Sequence, residues 1–136
     1  MRGGRRLVKA GAKPVLGKDN EGDPMIDTDH GQLKYTIYFY GCEQHVHCDS
    51  LRFEVVFPKD AHITNDVANR WNAGQRFIQA AVKPDGRLVL SYDVATIGGL
   101  TDRNFADVVD WWGSQLDALP GFFSEVFTPE SKGKAS

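Results

Sequence analysis

Between Gln32 and Tyr40 the apolar and polar positions alternate. Leu33, Tyr35, Ile37 and Phe39 fall on one side of an extended chain, and Lys34, Thr36 and Tyr38 fall on the other. A period of two marks a strand with one face buried. Leu51, Phe53, Val55 and Phe57 repeat it against Arg52 and Glu54, so two half-buried antiparallel strands are joined by residues 41–50. Upstream, residues 5–12 read as the last turns of a helix closed by Gly11. Residues 13–16 read as extended, and Asp19 to Pro24 is dense turn chemistry. Met25 and Ile26 start a short partner strand.

The period then changes. Thr64 is a suitable N-cap for a short helix to about Ala73, with Asp66 in its first turn and Gly74 placed to stop it. A second hairpin follows, Arg76 to Val82, the turn Pro84-Asp85-Gly86, and Leu88 to Ala95. Gly98-Gly99 breaks the chain and Thr101 caps a final helix. In it Phe105, Val108, Val109, Trp112, Leu116 and Leu119 form one apolar stripe. Pro120-Gly121 is expected to end or bend that helix, with Phe122, Phe123 and Phe127 adding a further apolar patch. The expected order is (α)-β-β-β-α-β-β-α, an α+β fold with helices packed on an antiparallel sheet.

The 136 residues suffice for one domain that buries enough surface to fold without metal or disulfide. The expected division is a disordered basic leader over 1–6, a single domain over 7–127 and a frayed polar tail over 128–136. A net charge of −2 argues against a general nucleic-acid or membrane-surface binder. No stretch reaches the roughly 20 apolar residues of a membrane-spanning helix. Arg2, Arg5 and Arg6 resemble the basic start of a signal peptide, but only Leu7 and Val8 follow before Lys9. As written the chain reads as cytoplasmic. It would be periplasmic if the natural N-terminus carried a signal peptide missing here.

The segment Cys42-Glu43-Gln44-His45-Val46-His47-Cys48 carries the most conspicuous chemistry. Cys42, His45, His47 and Cys48 are zinc-ligand types, yet structural sites usually draw ligand pairs from two separated segments. A disulfide between Cys42 and Cys48 across the connection, or two reduced thiols, are the other readings. Pairing of Cys42 with His45 or His47 as nucleophile and base lacks an orienting group or an oxyanion hole. The chain has no nucleophile elbow, Walker A lysine, dinucleotide-binding glycine motif or H-E-x-x-H. No catalytic residue and no cofactor are expected. His30 and His62 read as solvated loop residues. Asp93 reads as solvated or bonded to the Gly98-Gly99 backbone.

Asn69-Arg70-Trp71-Asn72 followed by Arg76-Phe77 resembles the YbjN family, described as candidate bacterial sensory transduction regulators. Gly22-Asp23-Pro24-x-Ile26, Phe39-Tyr40-Gly41-Cys42 and Cys48-x-x-Leu51-x-Phe53 precede this motif in the order the family shows. Asp85-Gly86, Asp93, Gly98-Gly99 and Asn104-Phe105 follow it. The resemblance runs from about Leu7 to Phe123. It implies a fold like that of type III secretion chaperones, α-β-β-β-α-β-β-α, often dimeric and presenting surface to protein clients. It assigns no catalytic residues. The family usually has a fuller first helix, and many members with a cysteine pair look exported.

Physically, Trp71 is a large anchor on a short helix, Asn69 and Asn72 can bond backbone at its end, and Arg76 can reach the neighbouring strand. The four read as a helix-to-strand corner. The expected function is a non-enzymatic regulatory or chaperone-like module that binds a protein client. Tyr38, Tyr40, Trp111, Phe122 and Phe123 are its candidate surface. The alternatives are a zinc- or redox-responsive domain built on Cys42 and Cys48, and a small-molecule binder between sheet and final helix. Trp111 is rotated about 100° from the Trp112 stripe, which exposes it on a monomer or buries it in a homodimer. The homodimer is the expectation. Packing over the sheet edge or under Phe122 and Phe123 is the alternative.

Overall fold

The computed structural model describes residues 15–44 and 48–127. The expected first helix, basic leader and polar tail, together with His45 and His47, lie outside them. The described elements are β1 (Val15–Lys18), β2 (Pro24–His30), β3 (Leu33–Tyr40), β4 (Ser50–Phe57), α1 (Asn65–Gly74), β5 (Gln79–Val82), β6 (Leu88–Ala95) and α2 (Asp102–Phe127). The fold is α+β, one six-stranded sheet in the order β1-β2-β3-β4-β6-β5 with every neighbouring pair antiparallel. Of the segment expected to be extended, Val15 and Leu16 belong to the paired edge strand β1. Met25-Ile26 belongs to a seven-residue strand.

The alternation legible in the sequence sets the register. Ile26, Ile37, Phe53 and Tyr92 lie side by side across four strands, and Val55, Leu90 and Ala80 across three. This face meets both helices. Trp112 of α2 packs its indole on Tyr35 and Phe53, with ring centroids 5.4 and 5.5 Å apart. Trp71 of α1 joins the same core. The opposite face carries the rows Met25-Tyr38-Arg52-Asp93 and Asp27-Thr36-Glu54-Ser91-Gln79.

Four expectations change in detail. Gly74 is the last helical residue of α1, and the cap is Gln75 in an extended conformation, so no left-handed glycine closes this helix. The strand expected from Arg76 begins only at Gln79. α2 runs through Pro120 to Phe127 over 26 residues. A helix-interior proline costs about 3 kcal/mol. Beyond it Phe122 packs edge-on against Trp71 at 5.3 Å, Phe123 against Phe57 at 5.2 Å, and Val126 is buried. Fully buried, each such side chain is worth roughly 1.5–3 kcal/mol, so even partial burial of all three offsets the proline. For the same reason Phe122 and Phe123 are core-margin residues and not the open surface expected of them.

Glycines help to place α2 against the sheet. Gly98 and Gly99 take φ of +84° and +87° between β6 and α2, a conformation that side chains resist. Gly113 lets α2 lie against β2, where an added Cβ would sit 2.9 Å from Cε1 of His30.

Candidate functional site

The corner between α1 and β5 is built by Trp71, Asn72 and a strained turn. Trp71 is 1% exposed, and its indole N–H donates to the Ile78 carbonyl at 3.1 Å. The Asn72 amide accepts from the Ala80 N–H at 2.7 Å and donates to the Ala80 carbonyl at 3.0 Å. Between them Phe77 sits at φ +70°, and the Ile78 N–H donates to the Arg76 carbonyl at 2.8 Å. That is a γ-turn of the rare, strained hand. A non-glycine residue held there costs on the order of 1–3 kcal/mol, a cost that surrounding structure must offset. Trp71 and Asn72 tie α1 to the start of β5 through these bonds. Asn69 lies exposed on α1.

The turn throws the Phe77 ring onto α2 and the sheet. It packs on Trp111 at 5.2 Å and on Tyr92 at 5.9 Å. The Arg76 guanidinium, expected on the neighbouring strand, turns back to lie 4.9 Å over the Phe77 ring. Trp111 therefore packs on Phe77, not under Phe122 and Phe123. It stays 37% exposed and Phe77 49%, so together they are an open aromatic corner with a cation on its rim. Burial, and secondarily the charge of Asp107, raises the Tyr92 phenol above its ordinary value. Asp107 and Asp110 flank Trp111 on the exposed side of α2, and neither has a cation partner among the described residues.

The face of the sheet away from α1 and α2 is the second candidate. Tyr38 and Tyr40 lie with ring centroids 6.4 Å apart. Beside them Arg52 grips Asp93 through two bonds, Nε to Oδ1 at 2.7 Å and Nη2 to Oδ2 at 2.9 Å. Asp93 is thus neither solvated alone nor bonded to Gly98-Gly99. Arg52 stands directly across from it in the β4–β6 register, which sequence alone does not give. Burial raises both the Tyr38 and Tyr40 phenols; next in size, the Glu54 charge also raises Tyr38, while the Arg52 charge lowers Tyr40.

Cys42 and Cys48 are joined by a disulfide, with Cα atoms 3.8 Å apart. Neither sulfur is then the thiolate that zinc or a nucleophilic role requires. Thr96 Oγ1 donates to the Cys48 carbonyl at 2.7 Å, tying the bridged loop to the end of β6. His30 stands at the end of a strand and not in a loop, with Nε2 2.7 Å from Asp117 Oδ1 of α2. His62 pairs with Asp60 at 3.0 Å. Asp19, Glu21 and Asp23 gather in the β1–β2 turn, where Asp19 Oδ1 accepts from the N–H groups of Glu21 and Asp23, both at 2.9 Å. The crevice among Trp71, Leu90, Leu119 and Phe122 is apolar and leaves no room for a water molecule. That crevice is too tight to hold a small molecule. No described helix is long and apolar enough to cross a membrane.

From the sequence Phe77 was legible only as a motif residue and Arg52 only as an outward-facing position, and Tyr92 had no role. The signal for Arg52 lay in its outward parity on a patterned strand. Nothing local announced the positive φ that exposes Phe77.

Compared with known proteins, residues 7–124 match the family YbjN, described as "Putative bacterial sensory transduction regulator". A solved structure described as "YbjN, a putative transcription regulator from E. coli" superposes with a TM-score of 0.62 at 17% identity. The match covers 86% of this chain and 88% of that one. At that identity the likeness is one of fold. No curated protein sequence matches.

Proposed function

The chain belongs to the YbjN family, and from that premise we propose that it is a non-enzymatic regulatory module that works by binding a protein client. The carrying observation is the Arg76-Phe77-Trp111 stack, large aromatic surface held open beside a cation. Trp, Tyr and Arg are the residue types that dominate interface energetics. Arg52 with Asp93, and His30 with Asp117, are engaged in pairs, which supports a non-enzymatic role for these groups. The Cys42–Cys48 bridge supports an oxidising compartment such as the periplasm. A homodimer through the same corner is the competing occupant.

The test is affinity capture from the native cells by wild type and by a Phe77→Ser/Trp111→Ser variant of unchanged fold, with the mass of each in solution measured alongside. A partner held by wild type and lost by the variant supports the reading. Identical partner sets overturn it, and a dimer that only wild type forms assigns the corner to self-association.

A further inference from the structure

The open corner adjoins an unfinished sheet edge. β6 pairs with β4 along its whole length, Leu88 to Ala95, but with β5 only from Leu88 to Ser91. Which backbone groups face the missing partner follows from strand alternation. Thr96 N–H donates to the Asp49 carbonyl, on the β4 side, while Arg87 accepts from Lys83 N–H, on the β5 side. Even-numbered residues of β6 therefore point to β4 and odd-numbered ones to the β5 lane. Asp93 and Ala95 direct N–H and C=O groups into that lane beyond its last residue, Gln79. None of the described loop or side-chain backbone bonds reaches them.

The chain that would have filled the lane is turned aside by the γ-turn at Phe77. Gln79 stands opposite Ser91, so a straight continuation would set residue 77 opposite Asp93. No described residue fills the lane instead, and the Phe77, Tyr92 and Trp111 rings lie along its helix side. By contrast, the outer edge of β5 at Ala80 is closed by the Asn72 amide. One edge is capped, and among the described residues the other is left open beside an aromatic shelf.

We propose that this lane binds an extended segment of a client protein, which adds as a short strand beside Asp93 and Ala95, sets a large apolar side chain on Phe77 and Trp111, and places a Lys or Arg at Asp107 and Asp110. Backbone pairing supplies the register, and the shelf selects the side chain, as in other strand-addition complexes. The basic character follows from Asp107 and Asp110, since Asp93 is already neutralised by Arg52. This inference rests on the protein-binding reading above and specifies how the client is held.

The experiment pans a phage library of random twelve-residue peptides on the full-length protein and synthesises the strongest binder. Recovered peptides are expected to share a large apolar residue and a Lys or Arg. N-methylation at one set of alternate peptide positions is expected to weaken binding at least tenfold, and at the other set to leave it unchanged. Ala95→Pro removes the lane-facing donor while sparing the β4 ladder, as proline at an open edge does. It should weaken binding comparably with unchanged melting, and Asp107→Asn/Asp110→Asn should weaken it more at low salt than at high salt. Should Ala95→Pro not fold, the N-methyl series on wild type decides.

Recovery of no peptide overturns the inference, and so does binding that tolerates N-methylation everywhere. A peptide that needs Trp111 but not the backbone pairing overturns strand addition alone and leaves the protein-binding reading standing. A dimer abolished by Ala95→Pro assigns the lane to a second copy and overturns the client.

Discussion

Asn72 and Ala80 form a closed pair in which a side-chain amide stands in for the missing neighbour of an edge strand. Asn72 Oδ1 takes the Ala80 N–H and Asn72 Nδ2 gives to the Ala80 carbonyl. Two hydrogen bonds at about 0.5–1.5 kcal/mol each put Asn72→Ala at about 1–3 kcal/mol of lost stability. Asn72→Asp keeps the acceptor, loses the donor, and is expected to fall between. Urea unfolding measures both. An Asn72→Ala midpoint equal to wild type would show that water replaces the amide without cost.

Trp71→Ala is expected to cost about 3–5 kcal/mol, the usual range for deleting a buried aromatic. The ring is fully enclosed and packs on Phe122 at 5.3 Å. Trp71→Phe should cost less but more than a simple trimming, because the Ile78 carbonyl loses its indole donor. Thermal melts that leave Trp71→Ala within a degree or two of wild type would contradict the burial.

The Cys42–Cys48 bridge closes a loop with a sequence separation of six. Chain-entropy reasoning gives such a short loop about 2 kcal/mol. Cys42→Ser/Cys48→Ser should be less stable by about that amount, yet folded. Thiol titration of wild type should find no reactive thiol before a dithiol reductant is added and two after. Two thiols before reduction would rule the bridge out in the conditions used.

Burial, with the Asp29 charge second, raises the Tyr35 phenol above its ordinary value of 10.0. A folded state that keeps the proton longer than the unfolded chain loses stability as pH climbs. The Tyr35 contribution is complete below about pH 10 and is drawn down above it. Absorbance titration near 295 nm should therefore show Tyr35 ionising only as the protein unfolds in alkali. Tyr35→Phe should move the alkaline unfolding midpoint to higher pH. An unchanged midpoint would contradict the assignment to Tyr35.

How much of this was legible can be judged residue by residue. The alternation at Leu33 to Phe39 and Leu51 to Phe57 was enough to assign which side chains face inward. Period two admits only one burial face per strand, and a one-residue slip would expose every one of them. The stripe from Phe105 to Leu119 fixed the buried side of α2 in the same way. Thr64 and Thr101 were legible as caps because a hydroxyl at that offset satisfies an otherwise orphaned N–H. Thr64 Oγ1 accepts from Val67 at 3.3 Å and Thr101 Oγ1 from Asn104 at 3.0 Å. The corner motif was legible as structural because a Trp on a short helix has few other uses.

What the sequence by itself determined was thus the α+β class and the inward faces of β3, β4 and α2, all of which depend on neighbours a few positions apart. Only the tertiary structure decided what depends on residues distant in sequence. The strand order set Arg52 across from Asp93. Phe122 and Phe123 were drawn into the core against Trp71 and Phe57, and that packing carried α2 through Pro120. The strained turn at Phe77 follows from the placing of Trp71 and Tyr92 on either side of it. Local chain preferences amount to a few tenths of a kcal/mol to about 3 per residue. Burial of several aromatic side chains together exceeds that, so where the two conflict, packing decides.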